Sequence, residues 1–97
     1  MDVDANKLEV QHDPKVGRFK IELEGLRAVL DYEMDGNAMV FTHTGVPRQL
    51  EGQGVGARLA KTGLEYARSH AHQVVPACAF MDVYVRRHPE YKDLVVE

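Results

Sequence analysis

One cysteine, Cys78, is all the thiol chemistry that 97 residues contain, so no internal disulfide framework holds this chain. A reducing compartment is the natural expectation. Long apolar runs are missing as well. Nothing approaches the ~18 residues of a membrane-spanning helix, and no positively charged, apolar leader opens the chain. Charge of one sign is scarce too: the net of -3 removes the usual ground for non-specific binding to nucleic acid or membrane. What is present is ordinary for a folded chain. Hydrophobic residues make up 44%, too many for a disordered segment, and the length suits a single domain over residues 1–97. A soluble, cytoplasmic domain is expected.

Alternation dominates the first half. Leu8 and Val10 alternate with Lys7, Glu9 and Gln11, then "HDPKVG" interrupts with Pro14 and Gly17. Phe19, Ile21 and Leu23 alternate with Arg18, Lys20 and Glu22, the period of a half-buried strand. A tight turn at Glu24-Gly25 leads to Leu26, Ala28, Leu30, Tyr32 and Met34 on one face, with Arg27, Asp31 and Glu33 on the other. After the turn signal "DGN", a fourth strand runs from Ala38 to about Thr44. Short turns between four strands predict an antiparallel meander.

From Leu59 the period changes. Leu59, Ala60, Gly63, Leu64, Ala67 and Ala71 form a helical stripe, and Lys61–Glu65 has the spacing of an ion pair on the outer face. "VVPACAF" (Val74 to Phe80) reads as a buried strand interrupted by Pro76. A short helix from about Met81 should stop near His88, because Pro89 disfavours helical geometry in the residue before it. Leu94, Val95 and Val96 read as a last extended segment. The expected architecture is α+β: a four-stranded antiparallel meander followed by helix, strand and short helix.

Between the two halves stand Gly52, Gly54 and Gly56, where a helix should nucleate. Glycine is a poor helix residue, but it lets backbone approach a ligand closely. A strand end, a glycine turn and a helix start make an anion site, since the first helical N–H groups lack partners and the dipole favours negative charge. No Gly-Lys-Ser/Thr follows, and the glycine spacing is wrong for a dinucleotide fingerprint. By spacing alone, phosphate cradle and plain loop stand level.

The longer stretch "VPRQLEGQGVGARLAKTGLEYAR" resembles the acyl-CoA-binding motif of the GNAT N-acetyltransferase superfamily. That motif joins a strand end, an Arg/Gln-x-x-Gly-x-Gly/Ala loop and a helix. Glu51, Gly52, Gln53, Gly54, Val55 and Gly56 occupy the six loop positions, and "FTHTGVP", "VVPACAF" and "YVRRHPEY" resemble the short, single-domain branch. The resemblance implies acetyl-CoA as acyl donor, with no metal. It implies that Thr44 and Val46 offer backbone to the pantetheine arm and that amides of Gln53 through Ala57 hold the pyrophosphate. Arg58 is placed to add charge toward a CoA phosphate, or stands as a solvated surface arginine. Glu51 departs from the pattern, standing where most members carry Arg or Gln. The resemblance also implies two parallel strands splayed apart for the acyl arm, and Pro76 fits such a break.

Transfer from a thioester to an amine needs a neutral amine, a stabilised oxyanion and a proton for the thiolate. Tyr84 matches the position at which the family often carries a tyrosine that protonates the thiolate. Cys78 is the candidate covalent acyl carrier, and His43 the candidate base for it or for the amine; each also reads as an ordinary packed side chain. His70 and His72 lack the spacing of a metal pair. The primary expectation is an N-acetyltransferase acting on an unidentified amine. The alternative is a CoA-binding module with little transferase activity, because there is no room between these strands for helices that wall an acceptor site. An acceptor would then be held by a partner protein or at the interface of a homodimer.

Overall fold

The computed structural model describes residues 4–96. Five strands form one sheet: β1 (Gln11–Asp13), β2 (Arg18–Leu23), β3 (Leu26–Asp35), β4 (Ala38–Gly45) and β5 (Gln73–Pro76). They lie in the order β1-β2-β3-β4-β5. The first four pair antiparallel as a meander, and β5 joins parallel to β4. Helix α1 (Val55–Ser69) separates β4 from β5, and helix α2 (Ala79–Arg87) follows β5. This is the α+β order that the periodicities predict.

The alternation explains the layering. Phe19, Ile21, Ala28, Leu30, Tyr32, Met39, Phe41 and Val74 are buried on one face of the sheet. Against them α1 lays Val55, Leu59, Ala60, Leu64 and Ala67, and α2 adds Met81 and Val85. Burial of each larger side chain stabilises by about 1.5–3 kcal/mol, so this one-sided core drives the assembly. Gly63 sets the distance between the layers. A Cβ there would lie 3.0 Å from Leu30 Cδ2 and 3.1 Å from Phe41 Cε1. The expected Lys61–Glu65 pair is absent from the ion pairs of the described residues; Glu65 instead lies beside the buried Tyr91 phenol.

Three expectations are corrected. The first strand is not Lys7–Gln11 but Gln11–Asp13, at the start of the segment where the proline and glycine predict a break. His12 explains the shift. Its ring stacks on Phe19 at 4.1 Å and 8°, meets Tyr66 edge-on at 4.5 Å, and hydrogen-bonds through Nε2 to the Tyr32 hydroxyl at 2.6 Å. Leu8 and Val10 still pack on the core, but from outside the sheet. Second, β5 ends at Pro76, and Phe80 belongs to α2. The Ala77 and Cys78 amides both turn back to the Phe41 carbonyl, each at 3.0 Å, and Cys78 caps the new helix. Third, the last extended segment reduces to one bridge, Val95 beside Val74, after a 3-10 turn at Pro89–Leu94. The predicted stop before Pro89 holds, with α2 ending at Arg87.

β4 carries one irregularity. Asp31 pairs with His43 but Tyr32 pairs with Phe41, so Thr42 is an extra residue bulged out of the strand. The bulge turns His43 to the face of Asp31 and Val29, away from the helices, and returns Thr44 to the face of Leu30.

Gly63→Ala should destabilise the domain. Overpacking of about 1–3 kcal/mol exceeds the helix-propensity gain of about 1 kcal/mol, so Tm in a thermal scan falls by several degrees. The His12 imidazole is held below its ordinary 6.5, first by burial and further by His70, with Asp13 opposing. A base with a depressed folded-state pKa contributes stability that is present above 6.5 and lost as pH falls through the lower folded value. Urea titrations across that window should show the loss in the wild type and a smaller slope in His12→Phe.

Candidate functional site

β4 and β5 are paired only as far as Phe41 and Pro76. The Ala77 amide makes the last rung, to the Phe41 carbonyl at 3.0 Å, and beyond it β4 continues through Gly45 paired with β3 but without β5. An open cleft of about 620 Å³ follows from this parting. It is lined by Thr44, Gly45 and Val46 at the end of β4, by Leu50, Glu51, Gly52 and Gly54 in the turn, by Val55, Gly56 and Ala57 at the start of α1, and by Phe80. Leu50 and Val55 are buried and give the cleft a rigid floor.

The turn has its own physical logic. Gly52 and Gly54 take left-handed backbone, at φ 75° and 82°, and Gly54 caps α1 in that conformation. The first bond at the head of α1 runs from the Arg58 amide to the Gly54 carbonyl at 2.9 Å, so the amides just before it have no intrahelical acceptor. They sit with the positive end of a 15-residue helix dipole on the cleft wall. Gln53 braces the turn, its side-chain amide donating to the Gln49 carbonyl at 2.9 Å. Gly56 is bare for a different reason: a Cβ would come within 2.9 Å of Phe80 Cζ and 3.5 Å of Val46 Cγ2. Glu51 is exposed on the rim.

The residues singled out for chemistry do not all meet. Thr44 Oγ1 lies 3.4 Å from Cys78 Sγ, a contact that joins β4 to the N-terminus of α2 just past the point of parting. Cys78 is half-buried there. His43 is exposed on the other face of the sheet, its Nε2 against Gly45 and near Val29. Tyr84 lies farther along α2, outside the walls of the main cleft. It stacks on His88 at 3.9 Å and shares a smaller pocket with Gly54, Ala57, Arg58 and Lys61. Burial, reinforced by Glu90 and Glu65, raises the Tyr84 phenol above its ordinary value, so it keeps its proton. Arg58 is half-buried and its Nε donates to the Leu8 carbonyl at 3.4 Å. Among the described residues, no group of three or more His, Cys, Asp or Glu is placed to hold a metal ion.

Two contributors escape the sequence patterns. The apolar run absorbs Phe80 into a strand, although it stands in α2, two residues past the Cys78 N-cap. Helical spacing pairs Lys61 with Glu65, although Lys61 also stands one helical turn from Arg58 on the same face.

The model of the GCN5-related N-acetyl-transferase family matches residues 18–94. Protein NATD1 of Danio rerio is 30% identical over 97 residues, spanning 95% of this chain and 88% of that protein. A GCN5-like protein from Staphylococcus aureus, solved by NMR in solution, superposes with a TM-score of 0.73 at 31% identity. The match covers 92% of this chain and 88% of that one.

The left-handed cap gives a direct check on the turn. Gly54→Ala forces a side chain into φ 82° with its Cβ 3.3 Å from that of Ala5. A loss of about 1 kcal/mol, read as a lower denaturant midpoint at constant m, is expected.

Proposed function

Because this chain belongs to the GCN5-related N-acetyl-transferase family, we propose that it binds acetyl-CoA in the cleft at the head of α1 and transfers the acetyl group to an amine. The observation that carries this reading is a coincidence in space. The turn matching the acyl-CoA motif lines the same cleft that opens where β4 and β5 part. The cradle fits a pyrophosphate: the amides of Val55, Gly56 and Ala57 lack intrahelical acceptors, and Gly52 leaves open space beside them. Backbone at Thr44 and Val46, past the last rung between β4 and β5, suits the amides of a pantetheine arm.

Acetyl-CoA supplies the thioester whose C–S bond breaks as the amide C–N bond forms. The chain must then remove one proton from the amine and give one to the departing thiolate. His43 is the group available for the first task, on the face opposite the helices, where an amine would approach. Cys78 stands beside Thr44 at the parting, at a helix N-terminus that favours negative charge. That position suits a thiolate that accepts the acetyl group and passes it on. A second reading, a CoA-binding module that meets its acceptor only on a partner or across a homodimer, is favoured by one feature. Both α-helices pack on the same face, so His43 stands on a side that neither helix walls.

Titration calorimetry should detect acetyl-CoA binding; no heat at millimolar ligand would sink both readings. A screen of amines and peptide N-termini for CoA release then separates transferase from binding module. If Cys78 carries the acetyl group, intact-mass spectrometry after incubation shows an adduct that Cys78→Ala abolishes together with most of the transfer. Full activity in that variant would leave direct attack by the amine. Glu51 at the rim opposes the pyrophosphate. Glu51→Gln should therefore tighten acetyl-CoA binding roughly two- to fivefold at low salt, and the gain should vanish near about 1 M salt.

A further inference from the structure

Helix α2 carries more apolar surface than the core uses. Met81 and Val85 face inward and are buried. A second stripe, Phe80, Val83, Tyr84 and Arg87, follows the i, i+3, i+4, i+7 spacing of one helix face. On it Phe80 and Val83 remain 41% and 44% exposed, and the stripe lines a trough of about 560 Å³ between α2 and Ala57 of α1. Large apolar side chains gathered in an exposed hollow mark an interaction surface.

The rim of the trough carries charge of one sign. Arg87 closes it at the last residue of α2. A neighbouring depression of about 270 Å³, which shares Ala57 and Tyr84 with it, brings in Arg58 and Lys61 from α1. No carboxylate lines either depression, and no ion pair among the described residues engages Arg58, Lys61 or Arg87. Asp82 and Glu65 are engaged elsewhere, the first with Arg86 at 3.1 Å and the second beside the Tyr91 phenol.

Shape and charge choose among the occupants of an apolar floor with a cationic rim. A second copy seated on the same face about a two-fold axis would bring one cationic rim against another. A bilayer is flat and takes protruding apolar residues, whereas this floor is recessed between two helices. A helix fills such a hollow: from Phe80 to Arg87 the stripe runs about 10 Å, two turns, which matches a partner's anchors at the same spacing. We propose that the trough along α2 docks an amphipathic helix of a partner protein, apolar on its buried side and acidic along its flanks, with Arg87, Arg58 and Lys61 facing the acids. The proposal does not depend on the acyl-CoA reading. Docking on the helical side also leaves the face of His43 open.

The test uses the whole chain and a fluorescein-labelled peptide of about 15 residues, with Leu at that spacing and Glu or Ala elsewhere. Its controls are the same residues in scrambled order and a version with Lys in place of Glu. Fluorescence anisotropy should show the acidic peptide binding about tenfold more tightly than either control, its advantage over the Lys version shrinking with salt. Val83→Glu should weaken that binding about tenfold at unchanged Tm, because Val83 is exposed. Arg87→Glu should shift the preference toward the Lys peptide. Equal binding of the acidic peptide and its scramble, no binding near about 1 mM, or full binding by Val83→Glu overturns the proposal. Three further outcomes do so by naming another occupant. Dimerisation of the free chain that Val83→Glu abolishes gives the trough to a second copy, and Val83-dependent sedimentation with phosphatidylserine vesicles gives it to a bilayer. Displacement of the peptide by saturating acetyl-CoA gives it to the acyl donor.

Discussion

The cleft of this molecule depends on the place where β4 and β5 stop pairing. Two backbone events meet there. After the rung from the Ala77 amide to the Phe41 carbonyl, the Cys78 amide turns back to the same carbonyl, and the bulge at Thr42 puts one extra residue into β4 at the same level. Had the ladder run on, Thr44 and Val46 would be interior rungs without free backbone. Because it stops, the end of β4 becomes a wall, and the amides of Ala77 and Cys78 converge on a single carbonyl, that of Phe41. That convergence directs the chain into α2 and brings Cys78 against Thr44.

The three alternate glycines have distinct physical reasons. Gly52 and Gly54 are needed for backbone sign: both lie in the left-handed region, and together they reverse the chain from the 3-10 turn at Arg48–Leu50 into α1. Gly56 is already helical and is needed for space, because Phe80 rests where its Cβ would stand. The poor helix propensity of the stretch is thus offset by geometry. Gly63 applies the same logic of space two turns later, against Leu30 and Phe41.

Much of this is legible in the residues themselves. Period-2 alternation places β2 and β3 within a residue of their observed bounds, and the apolar stripe places α1. These patterns read well because each element buries one face against a single core, so period and burial coincide. Alternation misplaces β1 because its anchoring residue is His12, which no hydrophobic pattern counts, yet it buries a ring on Phe19 and bonds Tyr32. It draws β5 too long because "VVPACAF" is apolar throughout, and an apolar run does not distinguish a buried strand from a strand followed by a helix N-terminus.

For the site, the division is just as clear. The sequence by itself determined the chemistry on offer: a glycine turn before an amphipathic helix, one thiol, one histidine beside it in the reading order of strands, and one tyrosine on the last helix. Only the tertiary structure decided which of these share a space. A one-residue bulge reverses the face of every side chain after it, so Thr44 joins Cys78 while His43 turns to the opposite side. The pitch of α2 carries Tyr84 away from the parting and toward Arg58 and Lys61. Local periods record which residues want burial. They hold no record of the register and crossing geometry that bring distant side chains together, because those are set by packing across the whole sheet.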